Sequence, residues 1–256
     1  MKKGTIHTRM GVKLAYQDNE IATTSVPIMF VHGFPMDHRV WDLTTLPDRR
    51  ELRVDLPGFG ESDIPPVSGS MKIYADALLD LLDELKIEKT ILCAHSMGGY
   101  ACLQFLADYP NRISGLILAG SQTAADSKDK KKAREQTIQQ LHEFGIGAVI
   151  GMADILAAHG EHRDFFAQMI QAQSKDGAIF GMQAMIGRLD HSGTLITAAI
   201  PKMIVHGELD NLVPLANYGD VLMDPAIQVI QLPEVGHSPM VEAPEKFNQI
   251  LRDWLN

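Results

Sequence analysis

Apolar residues follow two rhythms along the first 120 positions. Short continuous runs at 27–31, 52–56, 90–94 and 113–119 suit strands buried on both faces. Between them Ile73, Ala77, Leu78, Leu81, Leu82 and Leu85 recur at helical spacing, which predicts an amphipathic helix over 71–86. Residues 97–109 read as a second helix. Residues 5–8 and 12–17 flank Met10-Gly11 and predict a hairpin. Strands alternating with helices of this length predict βαβ units, and hence an α/β fold with a mostly parallel, doubly wound sheet.

The rhythm changes after Gly120. Residues 121–195 hold no strand run, and glycines punctuate stretches of helical spacing such as Phe165, Phe166, Met169 and Ile170. This segment reads as several short helices inserted between two strands of the core. Strand patterns resume at 202–206 and 228–232, and 247–255 closes the chain as a helix. The predicted organisation is a discontinuous core of 1–120 and 196–256 with 121–195 as the insertion. Within it Lys128, Lys130, Lys131, Lys132 and Arg134 form the one dense charge run. The first reading of that run is a solvated helix face; the other is a docking site for an acidic partner.

Composition narrows the class. A chain of 256 residues, 45% hydrophobic, is within reach of one large α/β domain carrying an insertion. The net charge of −9 argues against nucleic acid as a partner, since phosphate calls for a basic face. The insertion is close to balanced in charge, so the acidity belongs mainly to the scaffold. Two cysteines, Cys93 and Cys102, are too few for a disulfide framework and suggest a reducing compartment. The opening Met-Lys-Lys-Gly-Thr-Ile lacks the apolar stretch of a signal peptide. Apolar runs fall far short of the roughly 20 residues that span a bilayer. The expectation is a cytoplasmic protein without a membrane partner.

The chemistry concentrates in Ile91-Leu92-Cys93-Ala94-His95-Ser96-Met97-Gly98-Gly99. An apolar strand runs into a polar pair and then into glycines that open a helix. That context fits a nucleophile elbow, in which a serine sits on a sharp strand-to-helix turn with its hydroxyl above the sheet. Small residues are needed two positions to either side; Gly98 meets the demand and Ala94 carries one extra methyl. A serine that merely caps the helix is the competing reading.

A serine hydroxyl needs a base to take its proton, and the base needs an orienting acid. Asp210 follows the strand pattern at 202–206, and His237 lies in the loop after 228–232. Loops after parallel strands emerge at one sheet edge, so Ser96, Asp210 and His237 are expected to converge. Glu208 is the rival acid. His95 adjoins the serine, but neighbours on a strand point to opposite faces, so it is a poor base for Ser96. His206 reads as a packed strand residue. An oxyanion requires N–H donors. The amide of Met97 supplies one, and that of Phe34, in Val31-His32-Gly33-Phe34-Pro35, fits the other.

Five stretches together carry a family resemblance: 31–37 (VHGFPMD), 55–62 (DLPGFGES), 94–99 (AHSMGG), 206–210 (HGELD) and 236–245 (GHSPMVEAPE). The chain resembles the α/β-hydrolase superfamily over all but the insertion. Within it, the chain is similar to the branch of small carboxylesterases, perhydrolases, enol-lactonases and pimeloyl-carrier methyl-ester esterases. The resemblance implies Ser96 as nucleophile, His237 as base and then acid, Asp210 as its orienter, and Phe34 and Met97 as oxyanion donors. It further implies that 121–195 is a helical lid, and that the substrate is a small ester or related carbonyl compound. A perhydrolase, a C–C bond hydrolase or a slow-turnover ligand sensor would carry the same residues. Serine rather than aspartate at the elbow sets the chain apart from haloalkane dehalogenases and epoxide hydrolases. No cofactor or metal is expected: His159-Gly160-Glu161-His162 lacks the spacing of a zinc helix, and the glycines of 58–60 lack the dinucleotide pattern. Oligomeric state is not readable from the pattern.

Overall fold

The computed structural model describes residues 1–256. Its centre is an eight-stranded sheet in the order β1-β2-β4-β3-β5-β6-β7-β8. β1 (Lys2–His7) and β2 (Lys13–Asp18) form the expected hairpin, and β2 runs antiparallel to β4 (Glu51–Val54). The other strands are parallel: β3 (Ile28–Val31), β5 (Thr90–His95), β6 (Ile113–Ala119), β7 (Lys202–Gly207) and β8 (Ile227–Leu232). Every residue of β3, β5 and β7 is buried, as strands covered on both faces must be. β8 lies at the edge and alternates between buried ends and exposed middle positions.

Helices clothe the sheet. α1 (Met71–Glu84) is started by the Ser70 hydroxyl, which accepts the Ile73 N–H at 3.3 Å. It buries Tyr74, Leu78, Leu81 and Leu82. α2 (Met97–Asp108) follows β5 after a single residue, Ser96.

Between β6 and β7 the chain makes no strand. It forms α3 (Lys128–Phe144), α4 (Arg163–Gln171), α5 (Lys175–Ile186) and α6 (Ser192–Thr197), with 3-10 turns at Gly145–Asp154 and Gly160–His162. α6 runs across position 195, where the sequence pattern placed the end of the insertion. After β8, α7 (Pro239–Glu242) and α8 (Pro244–Leu255) complete the fold. No helix is long and apolar enough to cross a membrane.

The insertion is fastened to the core at defined points. Gln173 donates from Nε2 to Asp37 Oδ2 at 2.8 Å and accepts the Gly60 N–H at 2.9 Å. One turn into α5, Gly177 lies so close to Gly58 that a Cβ on it would overlap the Gly58 carbonyl oxygen. Only a residue without a side chain lets α5 seat there.

Candidate active site

β5 delivers Ser96 to the carboxyl edge of the sheet in a backbone conformation of φ 50°, ψ −118°. A non-glycine residue in that region is strained and persists only where its surroundings hold it. The Ser96 N–H donates to the Ala119 carbonyl at 3.0 Å, and the Ser121 hydroxyl donates to the Ser96 carbonyl at 2.9 Å. A Cβ on Gly98 would stand 2.5 Å from the carbonyl oxygens of both Val31 and His32, so α2 starts hard against β3. Ala94 is fully buried, and its methyl is accommodated two residues before the turn.

The loop after β3 passes directly over Ser96. A Cβ on Gly33 would come within 2.8 Å of Ser96 Cβ. His32 holds this loop in place: its Nδ1–H donates to the Gly33 carbonyl at 2.8 Å, and its Nε2 accepts the Leu56 N–H at 2.9 Å. Burial lowers the His32 pKa, which keeps the ring neutral with one donor and one acceptor. The Phe34 N–H takes no part in the backbone hydrogen bonding. Met97 opens α2, where first-turn amides have no partner within the helix.

Asp210 and His237 meet, with Nδ1 of the histidine 2.9 Å from Oδ2 of the aspartate. The other oxygen, Oδ1, accepts the N–H groups of Leu212 at 3.0 Å and Val213 at 2.9 Å. Burial alone would raise the Asp210 pKa; the hydrogen bond and charge of His237 and the Val213 amide outweigh it and hold the carboxyl below its ordinary value. Nε2 of His237 is buried and has no hydrogen-bond partner. Glu208, the rival acid, is exposed. His206 is buried in β7, as expected, with Nε2 3.5 Å from Asp210 Oδ2.

The amino-acid pattern reads His95 only as a poor base for Ser96 and gives no sign of the contact it makes. Its Nε2 donates to the main-chain carbonyl of His237 at 3.0 Å. Burial, with the neighbouring His237 second, pushes its pKa down to about 3, so the ring is neutral. Nothing in the pattern links positions so far apart in the chain.

Above Ser96 lies a cavity of about 240 Å³. Phe34 and Ser96 line it from the core, Val213 from the segment after β7, and Met152, Met182 and Met185 from the insertion. A wider groove of about 670 Å³, lined by Gly60, Asp63 and Gln173 among others, does not include Ser96. Asp37, His38 and Asp55 also stand together, their potential ligand atoms within 4.8 Å of one another. These atoms are engaged in bonds of their own: Asp37 with Arg39 and Gln173, and Asp55 with His38 Nδ1 at 2.7 Å. The group braces the loops beneath the insertion.

The arrangement matches known proteins along most of its length. The model of the Alpha/beta hydrolase family matches residues 28–250. Among solved structures, a thermophilic esterase from Thermogutta terrifontis superimposes with a TM-score of 0.91 at 29% identity, covering 100% of this chain and 98% of that one. The pimeloyl-[acyl-carrier protein] methyl ester esterase of Aeromonas hydrophila is 26% identical over 89% of this chain and 94% of its own. A 2-hydroxy-6-oxononadienedioate/2-hydroxy-6-oxononatrienedioate hydrolase of Paraburkholderia phymatum is 25% identical over 96% of this chain and 92% of its own. The chain belongs to the alpha/beta hydrolase family.

Proposed function

We propose that the protein is a serine hydrolase that cleaves a carboxylic ester or lactone through an acyl-enzyme. One observation carries the reading: Asp210 holds His237 at 2.9 Å while Nε2 of that histidine stays buried and free of partners. That is the state a general base requires, oriented by one nitrogen and available at the other. Ser96 Oγ attacks the carbonyl carbon as His237 Nε2 takes its proton. The oxyanion that forms is met by the N–H groups of Phe34 and Met97. Collapse expels the alcohol, which leaves with the proton from His237. Water, deprotonated by the same nitrogen, then attacks the acyl carbonyl and releases the acid and Ser96. Each step draws on this chain's own side chains and backbone amides, with water as the second reactant. In this reading residues 121–195 act as a cap on a core formed by 1–120 and 196–256.

The esterase relatives support ester substrates, and the apolar wall of methionines suits small or medium acyl and alkyl groups. Turnover of a short p-nitrophenyl ester tests the proposal. Ser96→Ala is expected to lose about 10³-fold or more of the rate with its circular dichroism intact. Unchanged turnover in that variant would refute the mechanism.

A further inference from the structure

Part of the dense basic run of the insertion borders the cavity above Ser96. α3 carries it, and the spacing of four places Lys130 and Arg134 on one side of the helix, with Thr137 next along the same stripe. All three line the cavity that holds Ser96. Lys130 is itself exposed along part of its length, as Lys128 and Lys132 are, but only Lys130 and the half-buried Arg134 of the run reach the cavity. No aspartate or glutamate lines that cavity.

The carboxylate behind these cations is already shared. Asp126 is buried, with Arg134 Nε at 2.6 Å from one oxygen and Arg188 at 2.9 Å from the other. The Arg188 guanidinium is buried too, 3.8 Å over the ring of Tyr100, which lines the same cavity. None of its three nitrogens has a hydrogen-bond partner, although one terminal nitrogen stands 2.9 Å from Asp126 as an ion pair. Three cations thus stand against one carboxylate. Surplus charge held in a partly desolvated place is unfavourable until a counter-charge arrives. The lysine shows the effect: burial, and behind it Arg188 and Arg134 against the opposing pull of Asp126, lower the Lys130 pKa.

We propose that the substrate carries, besides the carbonyl attacked by Ser96, a separate anionic group, carboxylate or phosphate, bound by Lys130 and Arg134 at the insertion side of the cavity. The proposal rests on the hydrolase reading above. Between the two polar ends the wall is Phe34, Met152, Met182 and Met185, which calls for a short apolar spacer. A half-ester of a dicarboxylic acid has that layout.

Mono-p-nitrophenyl adipate and its methyl ester differ by one negative charge and serve as probes. The wild type is expected to favour the half-ester by about tenfold in kcat/KM. Lys130→Glu and Arg134→Gln are expected to bring the ratio to about one or below, and Lys132→Met, on the outer face, to leave it as it is. Calorimetry on Ser96→Ala supplies a readout without turnover. Binding of monomethyl adipate over dimethyl adipate supports a carboxylate, and binding of butyl phosphate in its place supports a phosphate. A half-ester preference absent from the wild type, or untouched by Lys130→Glu, overturns the inference while leaving the hydrolase standing. Should neither ester be hydrolysed, the hydrolase reading fails and calorimetry still decides the anion site; binding of neither anion there overturns it.

Discussion

His95 donates its Nε2–H to the main-chain carbonyl of His237 across 3.0 Å, with the two rings 4.8 Å apart. One residue ends the strand that presents Ser96; the other lies in the loop between β8 and α7. A neutral ring therefore ties the strand end that carries Ser96 to the loop that carries His237. Loss of such an orienting bond moves a reacting group by fractions of an ångström, which costs rate more than binding. His95→Leu is expected to lower kcat by about 10- to 100-fold with little change in KM, and His95→Gln, which keeps a donor near the same place, to recover part of it. Equal loss in both variants, or a change confined to KM, would contradict a positioning role.

The seat of α5 makes a contrast between two glycines. Gly177→Ala drives a methyl into the Gly58 carbonyl, and backbone on both sides leaves little room to yield. Gly193, exposed in α6, has nothing within 4 Å of an added Cβ. Urea unfolding is expected to show Gly177→Ala less stable by about 2 kcal/mol or more. Gly193→Ala should be neutral or more stable by up to about 1 kcal/mol. A similar response at both sites would mean that the insertion is not fixed at this contact.

Acid stability draws on buried histidines, among them three beside the site. Burial lowers the pKa of His32, His95 and His206 below the ordinary 6.5, His95 to about 3. Because the folded value lies below the unfolded one, the stability each confers is complete above about pH 6.5 and is lost as the pH falls through the folded value. Burial opposes protonation of His38, but the hydrogen bond and charge of Asp55 outweigh it and raise its pKa. His38 therefore works in the opposite sense, its share complete below the ordinary value and lost as the pH rises through the raised one. Unfolding free energy should decline between pH 7 and 5, His95 alone contributing about 1.4 kcal/mol per unit once the unfolded chain is protonated. A flat profile over that range would contradict the assignment of neutral buried rings.

What the amino-acid pattern showed and what it hid have physical causes. β3, β5 and β7 were legible because strands covered on both faces must be apolar throughout. Ser96 was legible because a sharp strand-to-helix turn leaves its mark in Gly98 beside it. β1 starts at Lys2 rather than at residue 5, since an edge strand is paired through its backbone whatever its side chains are. α8 starts at Pro244, before the apolar spacing begins, because proline suits the first helical turn. The contact of His95 with His237 and that of Gln173 with Asp37 span more than a hundred residues each, and no local rhythm encodes them. The inward face of α3 was hidden for another reason. The run is largely the solvated face that its charge suggests, and because the neighbour of Lys130 and Arg134 is a cavity, no apolar stripe marks the part that borders it.

In the proposed mechanism Ser96, activated by His237 and Asp210, forms a covalent bond to the acyl or phosphonyl group presented to it. Intact-protein mass after exposure to a fluorophosphonate tests it most directly. The wild type is expected to gain the mass of one phosphonyl group, mapped by peptide sequencing to Ser96. His237→Gln should gain it more slowly, by about 10²-fold or more, and Ser96→Ala not at all. Labelling that persists in Ser96→Ala, or a wild type that takes up no phosphonyl group, would contradict the account.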